Sequence, residues 1–382
     1  MKRRPAQALL PILLLALLAA PLLHGCVSAE SWEATRLLQD IDAGGAPSVL
    51  KQRTPEPQRS TERYVIDGRA NIADFYHPRQ PLGGALLLVP GFTPEGKDDP
   101  RVMDLARSLA RARFLVMVPE VPGSRALRVR LEDSRTIADA LRHLQAARPE
   151  AAGRATGAVA ISYAVGLTAL AALELDDSTR PDFLVGVGGY YDTRAVVTYA
   201  TTGRFRLPGG RRWQQGEPLA SAKWIFLATN AAVLEDPTDR RRLQALGERC
   251  FTVCAPDVAA LNRELGPEGQ ALLALIVNRD VARVPALIAA LPPAVRERMA
   301  RLSLDDRNLS PLAGRLILVH GKADPLIPYS ESVALAHAVP GSELFLVDGF
   351  SHITPEGVGW GGQLQLVSAI QAVLSRRTPA GP

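Results

Sequence analysis

The sequence predicts an α/β fold: a mostly parallel central sheet, helices on both faces and a long helical insertion. Three observations carry that expectation. Fully apolar runs of strand length, such as Ala85–Val89 and Phe114–Val118, alternate with amphipathic runs of helix length. One such strand meets its helix at a serine, in Ala160-Ile161-Ser162-Tyr163-Ala164. After a long stretch without strands, the alternation resumes at Leu316.

Composition bounds the answer first. With 382 residues, 47% of them hydrophobic, the chain suits one large domain carrying an insertion rather than two unrelated domains. The formal charge is +5, and Lys2, Arg3 and Arg4 account for three of it, leaving about +2 once a leader is removed. Nothing global therefore argues for a nucleic-acid partner.

Residues 1–25 read as a secretory signal, with a basic start and an apolar run from Ala8 to Leu23 broken by Pro11 and Pro21. The run is short for a spanning helix. Its end, Leu22-Leu23-His24-Gly25-Cys26, resembles a bacterial lipoprotein cleavage site, with His24 departing from the usual small or apolar residue. That resemblance implies a lipid on Cys26 and, because Val27 rather than aspartate follows, an outer-membrane destination facing the periplasm. Cleavage after Val27-Ser28-Ala29 is the alternative, and it leaves no anchor.

Ser31–Asp42 has the pattern of a short helix with Trp32, Leu37, Leu38 and Ile41 on one side. Residues 26–62 as a whole read as a tether or surface wrap, polar and rich in Pro, Arg, Gln and Thr from Gly44 on. The folded domain is expected from near Arg63, with Tyr64–Gly68 and Ile72–Tyr76 as paired edge strands. Ala85–Val89 then leads into the loop Pro90-Gly91-Phe92-Thr93. Asp98–Ala112 and Leu131–Ala147 are amphipathic helices on either side of the strand Phe114–Val118. The serine strand comes next, followed by Phe183–Val187.

Residues 190–312 show helical runs without strands: Pro218–Val233, Asp236–Cys250, Asp257–Leu265, Glu268–Arg279 and Val295–Leu302. The core is thus expected in two parts, 63–189 and 313–382, around that insertion. Within the insertion Arg204, Arg206, Arg211 and Arg212 form a basic cluster, read either as solvated charge or as an attractor for an anionic substrate or headgroup. Cys250 and Cys254 are neighbours with poor disulfide geometry on a continuous helix, and only a break there permits a bridge. No metal-ligand cluster, phosphate-binding glycine loop or cofactor motif stands out.

Leu316–Val319 ends in His320-Gly321-Lys322-Ala323-Asp324, and the last strand, Glu343–Val347, ends in Asp348-Gly349-Phe350-Ser351-His352. Ser162, Asp324 and His352 thus each follow a predicted parallel strand, where the loops of such a sheet converge. In this order and context they resemble the α/β-hydrolase family, over roughly residues 62 to 375. The nucleophile turn departs from Gly-x-Ser-x-Gly, with Ala160 and Ala164 in place of both glycines.

The resemblance implies that Ser162 attacks an acyl carbon, His352 moves the proton and Asp324 orients the histidine. The backbone amides of Phe92 and Tyr163 would face the oxyanion, although Pro90-Gly91 stands where many relatives have His-Gly. It implies a helical lid at residues 190–312, with Trp224, Ile225, Phe226, Leu272, Leu273, Leu275 and Ile276 either facing a cleft for a small-molecule acyl substrate or packing the lid on itself. Asp192, also just past a strand, is the fallback acid. The implied activity is hydrolysis of a carboxylic ester. A peptidase or amidase, or a binding lipoprotein without turnover, remains open.

Overall fold

The computed structural model describes residues 29–146, 153–250, 256–352 and 358–377. The expected leader, Cys26 and Cys254 lie outside the described residues. Among the described residues ten strands form: β1 Gln58–Ile66, β2 Arg69–His77, β3 Gly84–Val89, β4 Phe114–Pro119, β5 Thr156–Ile161, β6 Phe183–Val187, β7 Arg204–Phe205, β8 Gln214–Gln215, β9 Leu316–Gly321 and β10 Glu343–Val347. Eight of them form one sheet in the order β1-β2-β4-β3-β5-β6-β9-β10. Pairing is parallel from β4 through β10, and β2 runs against both of its neighbours.

The central strands form because their side chains are apolar on both faces. Every residue of β3, β4 and β9 is buried. Helices cover both sides. On one face lie α1 Ala29–Ala43 and, beyond the short α2 Val49–Arg53, α3 Pro100–Arg111. Past the four-residue α4 Pro122–Arg125, the other face carries α5 Asp133–Ala146 and α6 Ala164–Glu174. The two cores divide alternate residues of β3 between them: Leu86 and Leu88 on the first face, Leu87 and Val89 on the second.

Between β6 and β9 the described residues are mostly helical, with α7 Thr193–Thr202, α8 Ala222–Ala231, α9 Pro237–Arg249, α10 Val258–Glu264, α11 Pro267–Val277, α12 Val284–Ala289 and α13 Pro293–Leu302, but the expected absence of strands fails at the short β7–β8 pair. This segment has its own apolar core, built around Trp224, Leu227, Leu243, Leu272 and Ile276. Two more helices close the fold, α14 Ser330–Ala338 and α15 Trp360–Leu374. Among the described residues no helix is long and apolar enough to cross a membrane.

Several boundaries differ from expectation for visible reasons. Residues 29–62 are folded onto the domain rather than strung out as a tether. Helix α1 buries Ala34 and Leu37 in the core it shares with α3 and α15, and its buried Asp40 accepts hydrogen bonds from Ser108 Oγ (2.7 Å) and Lys51 Nζ (2.8 Å). At the other end of the chain Arg377 pairs with Glu33 across 2.6 Å. Trp32, placed by sequence on the apolar side, is instead 54% exposed. Strand β1 begins at Gln58, and the tight turn at Asp67-Gly68, with both φ angles positive, ends it before Gly68. Strand β2 is interior, lying between β1 and β4. Helix α9 stops at Arg249, with Cys250 as its cap, and Cys250 is disulfide-bonded.

Candidate active site

Ser162 follows β5 and precedes α6 at φ +60°, the left-handed region a side chain rarely adopts. Such a conformation costs on the order of 1–3 kcal/mol and persists only where surroundings enforce it. Here the Ser162 amide donates to Val187 O at 2.7 Å, fixing the turn to the neighbouring strand, and Val165 N closes back on Ser162 O at 3.1 Å. The absent glycines at 160 and 164 are not needed for closure. The close helix–sheet approach is made instead by Gly186 and Gly189, where an added Cβ would lie 2.8 Å and 2.4 Å from Val165 atoms, and by Gly166 against Tyr190.

His352 joins the three expected residues. Its Nδ1 lies 2.7 Å from Asp324 Oδ2, and its Nε2 lies 2.8 Å from Ser162 Oγ. The carboxylate can only accept, so Nδ1 carries the proton and Nε2 is left to accept from the serine hydroxyl. Ser162, His352 and Asp324 are one hydrogen-bonded chain.

Asp324 is 2% exposed and has both oxygens occupied. Oδ1 accepts from the amides of Leu326 (2.8 Å) and Ile327 (3.0 Å). Oδ2 faces His352 and, at 3.3 Å, Nε2 of His320. Burial pushes the carboxyl up, but hydrogen bonds from His320 and His352 and their charge outweigh it and hold the group well below the usual carboxylate range.

His320 has no assigned role in the sequence reading. It is fully buried, with Nε2 2.9 Å from Ile327 O and Nδ1 2.7 Å from Ser332 Oγ. A carbonyl only accepts, so Nε2 carries the proton and points it at Asp324 as well. The signal in sequence was the spacing His320-Gly-Lys-Ala-Asp324, but nothing in that spacing says the ring turns back onto the carboxylate.

The loop after β3 approaches the same point. An added Cβ on Gly91 would lie 3.4 Å from Ser162 Cβ, and the Phe92 and Tyr163 rings stack with centroids 3.9 Å apart. Ser124 Oγ donates to Gly91 O, tying this loop to α4. The amides of Phe92 and Tyr163 donate to no acceptor among the described residues. Asp192 is not brought to the site. It caps α7, accepting from Arg194 N at 2.8 Å, and pairs with the Arg194 side chain at 3.1 Å.

A cavity of about 820 Å³, its mouth included, opens beside Ser162 and is almost wholly apolar. Phe92, Tyr163, Tyr190 and Leu326 come from the sheet side, Ile225 and Phe226 from α8. Of the seven apolar residues that either line the cleft or pack the lid on itself, these last two line it. Trp224, Leu272, Leu273, Leu275 and Ile276 face inward to the insertion's own core, because neighbours on a helix point about 100° apart.

No family model and no curated protein matches the chain. Among solved structures it is similar to an acylaminoacyl peptidase at 12% identity and TM-score 0.45, covering 86% of this chain. This chain spans 44% of that peptidase's length. It is also similar to a dienelactone hydrolase from Anabaena variabilis (11%, TM-score 0.45, covering 85% of this chain and 100% of the other). An esterase from Rhodococcus gives 17% identity and TM-score 0.42 over 84% of this chain and 99% of its own. All three are hydrolases by name. Likenesses this distant carry no argument about chemistry, which rests on the site itself.

Proposed function

We propose that this chain is a serine hydrolase of the α/β-hydrolase type that cleaves a carboxylic ester through an acyl-enzyme. The carrying observation is the hydrogen-bonded chain from Asp324 through His352 to a strained Ser162 that opens on an apolar cavity. Ser162 Oγ attacks the carbonyl carbon as its proton passes to His352 Nε2. The charge on the former carbonyl oxygen is met by the amides of Phe92 and Tyr163. Collapse breaks the ester C–O bond, and the leaving alcohol takes the proton from His352. Water then attacks the acyl carbon, gives a proton to His352, and Ser162 recovers it on release of the acid. Asp324 holds the imidazole in the required tautomer and balances its positive charge during both transfers.

The cavity favours an ester with an apolar acyl part over a peptide, since no charged side chain lines it among the described residues. Residues 190–312 serve as a lid, with α8 supplying the far wall through Ile225 and Phe226. Cys26 carries the lipid that anchors the enzyme to a bacterial outer membrane, a reading checked by the mass of the mature amino terminus: an unmodified chain starting at Glu30 would overturn it.

The test is Ser162→Ala against a series of p-nitrophenyl esters of rising chain length, with fluorophosphonate labelling alongside. Turnover should fall on the order of 10⁴-fold or more, and the label should map to Ser162. An alanine variant that keeps most of its activity removes this nucleophile from the mechanism. Faster cleavage of aminoacyl anilides than of any ester would move the assignment to a peptidase.

A further inference from the structure

The insertion begins with a feature that the chemistry at Ser162 does not use. Strands β7 and β8 pair as a small hairpin whose tip is Arg206-Leu207-Pro208-Gly209-Gly210-Arg211-Arg212-Trp213. Gly209, at φ +69°, makes the turn, and Gly210 N closes it on Leu207 O at 2.9 Å. Its base is fixed. The Phe205 ring packs edge-on against Tyr199 and Tyr329, with centroids 5.8 Å and 5.4 Å away. Tyr329 OH donates to Gln214 Oε1 at 3.1 Å, and Leu219 N donates to Pro325 O at 2.7 Å. Pro325 adjoins Asp324, and Ala200 and Ala222, on either side of the hairpin segment, both line the cavity.

The tip is cationic and apolar together. Arg204, Arg206, Arg211 and Arg212 are all exposed, and none makes an ion pair among the described residues. Glu217 is the one carboxylate between residues 204 and 219. Trp213 is 39% exposed beneath the Arg206 guanidinium, which sits 4.2 Å over its ring, and Leu219 is 50% exposed. Solvated charge alone gives no reason for an exposed Trp and Leu among four unpaired arginines on a rigid base. A bilayer interface does: phosphates meet the guanidinia, and an indole partitions to headgroup depth.

We propose that the 204–219 hairpin is a docking surface for an anionic phospholipid bilayer. It seats the cavity wall at the membrane, where apolar acyl esters are concentrated. The binding stands on the hairpin alone; only its purpose rests on the ester-hydrolase reading.

The experiment is vesicle co-sedimentation with the full chain carrying Cys26→Ser, so that no attached lipid contributes. Vesicles of phosphatidylcholine are compared with equal mixtures of phosphatidylcholine and phosphatidylglycerol, at low and high salt. The chain should prefer the anionic vesicles and lose that preference as salt rises. Each arginine near such a surface contributes about fivefold, so Arg211→Glu with Arg212→Glu should weaken binding at least about 25-fold. Trp213→Ala should weaken it several-fold, and both variants should match the parent in melting temperature and in turnover of a water-soluble ester. Equal binding to neutral and anionic vesicles overturns the proposal. So does a charge-reversed variant that binds as tightly as the parent, or heparin binding that is as tight as vesicle binding and indifferent to Trp213→Ala. If charge reversal lowers the melting temperature, the parent's dependence on lipid charge and salt decides alone. Sedimentation needs no turnover, so an inactive enzyme and a non-binding hairpin are separate results.

Discussion

Strands β6 and β9 are neighbours, and each ends in a loop that carries an aspartate, yet the two loops treat their carboxylates oppositely. Asp324 is enclosed by two backbone amides and two imidazoles and sits under the histidine that reaches Ser162. Asp192 is 22% exposed, caps a helix and is neutralised by Arg194. One helix joins them. Glu331, in the first turn of α14, accepts from the amides of Tyr191 (3.0 Å) and Asp192 (2.7 Å) and so fastens the β6 loop to the element that follows the β9 loop. Burial without a cation pushes Glu331 up to about 8, with Asp192 and Asp305 adding to the effect against the pull of the two amides. Equal burial thus gives opposite results for Asp324 and Glu331. What decides is whether the donors around the carboxylate include groups that can hold positive charge.

The sharpest way to break the comparison is to neutralise the acids in turn. Asp324→Asn should cut turnover of a soluble ester on the order of 10⁴-fold, because an amide at that place can turn its NH₂ towards His352 and favour the wrong tautomer. Binding of a substrate analogue should change little. If the same change at Asp192 costs as much, the acid belongs to the β6 loop.

Glu331→Gln tests the link between the loops through stability. The substituted amide side chain would keep an oxygen for both backbone amides and lose the charge. The folded chain holds the Glu331 proton more tightly than the unfolded chain, whose value is near the ordinary 4.5. Its contribution is therefore fully present below that pH, declines as pH rises, and is gone above about 8. The variant should match the parent's melting temperature near pH 4.5 and exceed it at pH 9, by roughly 2 kcal/mol or more when measured as stability. A variant less stable than the parent at pH 9 would show that the carboxylate is ionised and well solvated in the fold.

Much of this arrangement was legible in sequence, and the gaps have physical causes. The buried strands declared themselves because they are apolar on both faces, and the strand-to-helix turn at Ser162 was legible even though Ala160 and Ala164 replace glycines. The start of β1 was missed because Gln58–Arg63 is polar, as an edge strand with an exposed face can be. The docking of α1 was missed because its buried face carries the charged Asp40 beside Ala34 and Leu37, and a carboxylate in that row does not read as core. The lining of the cavity was half legible: α8 and α11 are both apolar, and only packing tells which one faces Ser162. His320 lay outside the reach of sequence altogether, since its role depends on where a ring turns inside the core.

The smallest effect is expected at Asp192 itself, through Asp192→Ala. That change removes the side chain that caps α7, leaving Arg194 N without its 2.8 Å acceptor, and it frees one face of Arg194, whose other partner is Asp305. Loss of such a cap typically costs about 1 kcal/mol. The Asp192 amide still donates to Glu331, so the loop keeps its position. Chemical denaturation should therefore show a modest fall in midpoint with an unchanged slope, and ester turnover should stay within about twofold of the parent. Asp192→Asn should recover most of the lost stability, because asparagine caps a helix about as well as aspartate. A large drop in turnover with the stability intact would mean that the β6 loop reaches the reacting groups, and would merge the two regions set apart above.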